Sequence, residues 1–276
     1  MKRRDCLIAM SGALGAFSLL ALPAFADSDG NAFPASAAQG ALVVGKIDKG
    51  YLARYRGREL RATPYGSVVL GIGRNETDSV SVEVTDKDGR KQDIFIAVTT
   101  RDFPTEYVSG VPPKTVNPPP AIAARIAREQ ALVAAARERD DDRADFADKF
   151  IWPVRGRISG RFGNQRVYNG KPGSGHSGMD IAVATGTPVK APASGIISFA
   201  DPDLYLTGGT VLLDHGHGVS SNFLHLSRID GKVGDRIKQG EVFAAVGSTG
   251  RATGPHLHWG MSWFDVRVDP QLLVDA

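Results

Sequence analysis

Cysteine is nearly absent from this sequence: among 276 residues the only one is Cys6. A lone cysteine forms no intrachain disulfide and builds no cysteine-rich zinc site. Histidine is scarce as well, and all six histidines lie between His176 and His258. No His-Glu-x-x-His segment occurs, which excludes the helical metal site with a glutamate base. Any metal site must therefore use histidine and carboxylate ligands, and its histidines can come only from residues 176–258.

A strong net charge is also lacking. The sequence has 33 lysines and arginines against 30 acidic residues, a formal net charge of +3. Three of these cations and one acid lie within residues 1–26, so the remainder is close to neutral. Net charge thus does not indicate a nucleic-acid partner. The length allows one large domain or two small ones, each with a buried core.

The first 26 residues have the layout of a signal peptide. A basic segment (residues 2–4) precedes the mostly apolar run Leu7–Leu22, and Ala24–Ala26 forms a small-x-small cleavage site. This layout predicts export to the periplasm or secretion, with no stable membrane insertion after cleavage. Arg3 and Arg4 leave the general and twin-arginine export routes both open.

Two β regions are predicted around a helical connection. Residues 27–40 are small and polar and predict a flexible lead-in. Residues 41–110 contain alternating patterns such as Val80 to Val84 and predict a small N-terminal β-sandwich. Residues 111–149 combine a proline-rich linker with a helix over residues 121–145, and the Asp140–Asp142 run is interpreted as its solvated end.

Residues 150–276 predict an antiparallel β domain, because short apolar runs alternate with glycine-containing turns. In His256-Leu257-His258 a strand would turn both imidazoles to one face and Leu257 to a core. His176 and Asp180 are four residues apart, and His225 lies on a further predicted strand. Imidazole and carboxylate suit a divalent metal such as zinc, and three ligands plus one open position form a catalytic site.

Five segments of this region, in order, resemble the M23 peptidases, the lysostaphin- or LytM-type zinc metallopeptidases. They cover roughly residues 150–270 and read WPVRGRISGRFG, HSGMDIAVATGTPVKAPASGII, FLHLS, VGDRIKQGEVFAAVGSTG and ATGPHLHWG. The resemblance implies a duplicated hybrid motif, an antiparallel β domain with the metal at the bottom of a groove. It also implies an exported metalloendopeptidase that cleaves stem peptides or cross-links of peptidoglycan.

The resemblance also assigns roles to single residues. It implies that His176, Asp180 and His258 bind one zinc ion per chain, and that His225 and His256 are catalytic. Which of the two histidines is the general base stays open, as do the bond cleaved and the oligomeric state. The sequence also leaves open whether the cell wall cleaved is the organism's own or a competitor's.

Further expectations concern the surroundings of the site. Gly175 and Gly178 predict a tight backbone turn beside the ligands, and residues 169–175 a mobile rim of the groove. Arg166 is interpreted as an ordinary surface residue rather than a contact for a substrate carboxylate. His215-Gly216-His217-Gly218 is interpreted as a hairpin turn rather than a second metal site.

Three other classes of protein share part of this pattern. Non-catalytic LytM-type activators of other wall hydrolases have lost metal ligands, whereas all five site residues are present here. A sugar-phosphotransferase IIA phosphocarrier also pairs histidines on β structure, but the predicted export disfavours it. A biotin or lipoyl carrier is disfavoured because this sequence lacks the exposed modified lysine in its usual context. A regulatory hypothesis adds that the helix and the N-terminal region cover the groove and limit access.

Overall fold

The computed structural model describes residues 30–275, so the predicted signal peptide lies outside the described residues. Strands dominate this range, which confirms the predicted mainly β class. The helices are α1 (Pro113–Val116), α2 (Pro120–Arg137) and two short 3₁₀ turns, Asp145–Ala147 and Pro270–Leu273. None of the helices between residues 30 and 275 is both long and apolar enough to cross a membrane.

The region before the helices forms two small sheets. Its strands are β1 (Ser36–Ala38), β2 (Leu42–Lys46), β3 (Leu52–Tyr55), β4 (Arg58–Leu60), β5 (Ser67–Gly71), β6 (Val80–Thr85), β7 (Lys91–Thr99) and β8 (Thr105–Val108). One sheet has the order β1-β7-β6-β3-β4, and β2 pairs with β5 in the other. Val82 and Ile96 are fully buried, as the alternation on β6 and β7 predicts.

The predicted flexible lead-in contains ordered structure, so that expectation was wrong for residues 30–40. Strand β1 pairs in parallel with β7, from Ser36 opposite Ala97 to Ala38 opposite Thr99. Gln39 is buried and donates a hydrogen bond to the Glu76 carbonyl oxygen. Small residues give no alternation that a sequence pattern can detect, so only the pairing with β7 explains this strand.

The helix α2 ends at Arg137 rather than near residue 145. Beyond it, Arg143 forms ion pairs with Asp141 and with Asp214 of the C-terminal domain. Asp140 pairs with Arg61, Nε to Oδ1, at 3.0 Å. The predicted solvated helix end is therefore wrong, because these residues leave the helix to form tertiary ion pairs.

The C-terminal region is one large antiparallel sheet with a smaller one beside it. Its strands are β9 (Arg157–Gly160), β10 (Gln165–Tyr168), β11 (Lys171–Gly175), β12 (Gly178–Ala182), β13 (Pro188–Lys190), β14 (Gly195–Leu204), β15 (Gly208–Asp214), β16 (Val219–Ile229), β17 (Arg236–Ile237), β18 (Val242–Val246), β19 (Leu257–Trp263) and β20 (Val266–Val268). The main order is β17-β14-β15-β16-β19-β12-β9, with β13, β18 and β20 paired at its margins.

The two regions share packing. Tyr55 and Trp263 have ring centroids 5.6 Å apart, and both belong to one buried cluster that continues through both regions. Strand β8 pairs in parallel with β10 of the C-terminal region, which places it in the three-stranded sheet β11-β10-β8. The independent N-terminal sandwich and its boundary at residue 110 stay predictions.

Candidate metal centre and groove

The pairing of β12 with β19 sets the first two site residues side by side. The antiparallel register places Asp180 directly opposite His258, and Asp180 Oδ1 lies 2.9 Å from His258 Nδ1. Leu257 is fully buried on the other face of β19. The alternation predicted for His256-Leu257-His258 is therefore confirmed.

His176 reaches the same point from the residues just before β12. Its Nε2 lies 3.0 Å from His258 Nδ1 and 3.1 Å from Asp180 Oδ1. All three residues are buried. Among the described residues they are the one group of three whose ligand atoms cluster closely enough to hold a metal ion.

The charge states of this cluster suit a cation. Burial alone would raise the pKa of Asp180, but hydrogen bonds and charges from His176 and His258 hold it well below its ordinary value. Burial lowers the pKa of His258 to about 4. At neutral pH the cluster therefore offers a carboxylate and a neutral imidazole, the forms that bind metal.

The donor atoms themselves test whether a metal fits. Two imidazole nitrogens and a carboxylate oxygen converge within 3.1 Å of one another, and zinc ligands of these types lie at about 2.0–2.2 Å from the ion. The other ring nitrogen of His176, Nδ1, lies 3.0 Å from the carbonyl oxygen of Arg161. An Nδ1–H donated to that carbonyl leaves the Nε2 lone pair for a metal. The three residues fit a divalent cation.

His225 reaches the cluster through an irregularity in β16. Leu224 pairs with His258, so regular alternation would turn His225 away from the groove. His225 instead has φ 62°, and its ring centroid lies 4.7 Å from that of His256 and 6.4 Å from that of His258. A non-glycine residue in the left-handed region is uncommon, and here this backbone turns the His225 ring towards His256.

Both of these histidines leave one nitrogen free for chemistry. His225 Nδ1 lies 2.8 Å from the Thr249 carbonyl oxygen, and His256 Nδ1 lies 2.8 Å from that of Gly254. A carbonyl only accepts, so in the neutral imidazole each Nδ1 carries the proton and each Nε2 has the lone pair. Burial, followed by the nearby His256 and His258, lowers the pKa of His225 to about 3.

Arg166 is not the surface residue that the sequence suggested. Its side chain is 13% exposed, and Nη2 lies 2.5 Å from Asp180 Oδ2. Its Nε lies 3.2 Å from a carboxylate oxygen of Glu106 on β8. The chain Glu106–Arg166–Asp180 fixes the second oxygen of the carboxylate. Sequence reasoning missed Glu106, because only the β8–β10 pairing brings it to the site.

Gly178 is required for a different reason than a tight turn, so that expectation was wrong. It lies within β12 opposite Gly260, and its φ is not positive. A Cβ there would approach the Trp259 carbonyl oxygen to 2.5 Å and His258 Nε2 to 2.8 Å. Glycine thus allows the strand that carries Asp180 to approach β19 closely.

The other two histidines are not part of this site. His215 is fully buried, with Nδ1 2.8 Å from the Ser194 carbonyl oxygen and Nε2 2.8 Å from Ser221 Oγ. His217 Nδ1 lies 2.9 Å from the carbonyl oxygen of Arg61. These contacts agree with a structural turn.

The five predicted site residues line one cavity of about 1010 Å³. The helix α2 contributes Ile126, Val133 and Arg137 to its wall. Arg125 at 3.2 Å from an Asp203 carboxylate oxygen, and Glu129 at 2.8 Å from the Tyr205 amide, attach this helix to β14 and the turn after it. The expectation that the helix lies over the groove fits this placement, and its regulatory role stays a prediction.

An antiparallel β sheet that gathers two imidazoles, a carboxylate and two further histidines in one cavity has the donor groups that a metal-dependent hydrolase would require. The model of peptidase family M23 matches residues 174–270. A solved structure from Pseudomonas aeruginosa assigned to peptidase M23 is 32% identical, with a TM-score of 0.68, and covers 86% of this chain and 94% of that one. The chain belongs to the M23 peptidase family.

Curated relatives extend the comparison. The cell division protein DipM of Caulobacter vibrioides is 31% identical over 188 residues, 65% of this chain and 29% of DipM. The peptidoglycan DD-endopeptidase ShyA of Vibrio cholerae is 29% identical over 203 residues, 68% of this chain and 45% of ShyA. The chain thus spans less than half the length of these two relatives.

Proposed function

We propose that this protein is a zinc metalloendopeptidase of the bacterial envelope that hydrolyses stem peptides or cross-links of peptidoglycan. The observation that carries the proposal is the convergence of His176, Asp180 and His258 on one point of the groove, with His225 and His256 beside it. The predicted signal peptide and the peptidoglycan DD-endopeptidase ShyA among the relatives support the location and the substrate.

In this proposal His176 Nε2, His258 Nδ1 and Asp180 Oδ1 hold one zinc ion. A zinc ion held in this way supplies an activated water at neutral pH and polarises the scissile carbonyl. Arg166 keeps the Asp180 carboxylate oriented, because it binds the oxygen that does not face the two histidines.

The two remaining histidines transfer protons. With Nδ1–H donated to Thr249 and Gly254, the neutral imidazoles of His225 and His256 each present an Nε2 lone pair. One Nε2 accepts the proton of the attacking water, and an imidazole protonated in this way donates to the leaving amine. An imidazole N–H can also stabilise the developing oxyanion. Either histidine can serve as the base.

The complete ligand set supports an enzyme over a non-catalytic LytM-type activator, since such activators have lost ligands. Metal analysis of the purified mature chain and mass spectrometry of a peptidoglycan digest test the proposal. We expect about one zinc per chain and new peptide termini that disappear with a chelator. Hydrolysis that persists without bound metal would refute it.

A further inference from the structure

The cavity above the metal cluster has an excess of positive charge. Its wall contains three carboxylates, Glu106, Glu129 and Asp180. Two of them pair with Arg166, and Glu129 pairs with Arg125. Four further arginines line the cavity without an ion pair to any residue between 30 and 275: Arg137, Arg157, Arg251 and Arg267.

Arg267 on β20 is a fixed cation with neutral partners. Its Nη1 lies 2.8 Å from Ser262 Oγ and 3.4 Å from Asn222 Oδ1. Burial lowers the pKa of Arg267 to about 10, so the guanidinium still carries its charge at neutral pH. Two neutral acceptors orient this side chain but do not compensate its charge.

Arg137 brings a second cation to the same cavity from the last residue of α2. Its Nε is buried and has no hydrogen-bond partner among the described residues. Burial and then the charge of Arg267 lower the pKa of Arg137 to about 9. Two partly buried like charges and an unpaired donor are costly unless an anion compensates them.

We propose that Arg137 and Arg267 form a subsite that binds a free carboxylate of the substrate peptide. Arginine binds carboxylates through two parallel hydrogen bonds, and desolvation strengthens such contacts. This inference rests on the proposed peptidase function and specifies its substrate class: an acidic peptide that passes between α2 and the floor of the groove.

The strand register gives the position of the subsite. Asn222 lies opposite Gly260, and Ser262 lies four residues from His258 on the same face of β19. At about 3.3 Å per residue, the Arg267 contacts lie roughly 7–13 Å along the strand from His258. An extended peptide therefore carries the recognised carboxylate two to four residues from the scissile bond.

The test compares synthetic peptidoglycan stem peptides that have free carboxylates with peptides in which one carboxylate is amidated. For one of the carboxylates, we expect the zinc-loaded protein to hydrolyse the free-acid peptide with a kcat/KM about tenfold or more above that of the amidated peptide. Arg267→Gln and Arg137→Gln should bring that ratio close to one. Arg128→Gln is the matched control, because Arg128 is exposed on the same helix and does not line the cavity.

A binding measurement separates this inference from the proposed function. Calorimetry with metal-stripped protein and the free-acid peptide should show binding that Arg267→Gln and Arg137→Gln each weaken by about tenfold. If the wild type hydrolyses neither peptide but binding responds in this way, the proposed function fails and the subsite stands. Equal binding of acid and amide, no binding, or wild-type discrimination by both variants would overturn the subsite. So would faster hydrolysis of both peptides by Arg137→Gln, since α2 would then only obstruct the groove.

Discussion

Two pairs of histidines in the C-terminal region have different surroundings, although the members of each pair are separated by a single residue. His256 and His258 face a shared space that also contains Asp180. His215 and His217 each bond to separate backbone or hydroxyl oxygens, and the glycine between them turns the chain. Histidine spacing therefore does not define a metal site. The groups that each ring nitrogen faces define it.

The sharpest test of this contrast removes a proposed ligand. His176→Ala should abolish zinc binding and reduce hydrolysis by at least roughly 10³-fold, because several kcal/mol of transition-state stabilisation disappear. Metal analysis by mass spectrometry and a stem-peptide digest measure both quantities. His217→Ala, assayed at a temperature at which it is folded, is the matched control and should keep its zinc. Equal loss of zinc in both variants would remove the distinction between the two pairs.

Removing a histidine that faces the cluster without contributing a proposed ligand should separate binding from turnover. His225→Ala should retain zinc and lose about 10²–10⁴-fold in kcat, the usual contribution of a positioned acid or base. Zinc content and kcat measured on one preparation provide the check. A variant with unchanged kcat would show that the left-handed backbone at His225 serves the fold alone.

A smaller effect is expected from the neighbour of Asp180. Arg166→Gln should weaken zinc affinity by about 10–100-fold, since the guanidinium orients the carboxylate and favours its charged form. Competition with a chromogenic chelator measures this affinity. Arg161→Gln is the control, because its side chain contacts Gln271 rather than the cluster. Equal affinities would place Arg166 outside the metal site.

The other histidine pair, His215 and His217, should affect the free energy of unfolding rather than zinc binding. Burial lowers the pKa of His215 to about 4, below its ordinary 6.5. As the pH falls, the unfolded chain therefore binds this proton before the folded chain does. Stability due to His215 is therefore complete above pH 6.5 and is lost as pH falls towards 4, by about 1.4 kcal/mol per pH unit and roughly 3 kcal/mol in all.

His215→Asn isolates this effect. Burial raises the pKa of the adjacent Asp214 to about 6, which acts in the opposite direction over part of the same range but is common to both proteins. The variant should be less stable at pH 7.5 by about 1–3 kcal/mol, and the difference should shrink towards pH 4. Urea unfolding at several pH values measures it. A constant difference would mean that His215 titrates normally in the folded protein.

Local patterns predicted much of this molecule, because they depend on neighbouring residues. Alternation located β6, β7 and the faces of β19, and the order of five motifs indicated the family. The strand at His225 was predicted, but its left-handed backbone was not, since periodicity describes only regular strands. The end of α2 was placed too late, because the residues after Arg137 form ion pairs with the distant Asp214 that no local pattern indicates.

The groups around the candidate cluster were the least predictable. Glu106 and Arg166 are 60 residues apart, and Arg137 and Arg267 are 130 residues apart. Neither pair has a sequence signature. Each is recognisable only from the charges that the fold leaves paired or unpaired.

The parallel pairing of β8 with β10 has a consequence for the covalent integrity of the chain. Lys114 is exposed in the proline-rich segment between them, and the parts of the chain on either side share backbone hydrogen bonds and one continuous buried cluster. A molecule nicked at Lys114 would therefore remain a two-fragment complex under native conditions and separate only in denaturant. Glu106 would stay beside Arg166 even after the peptide connection is cut.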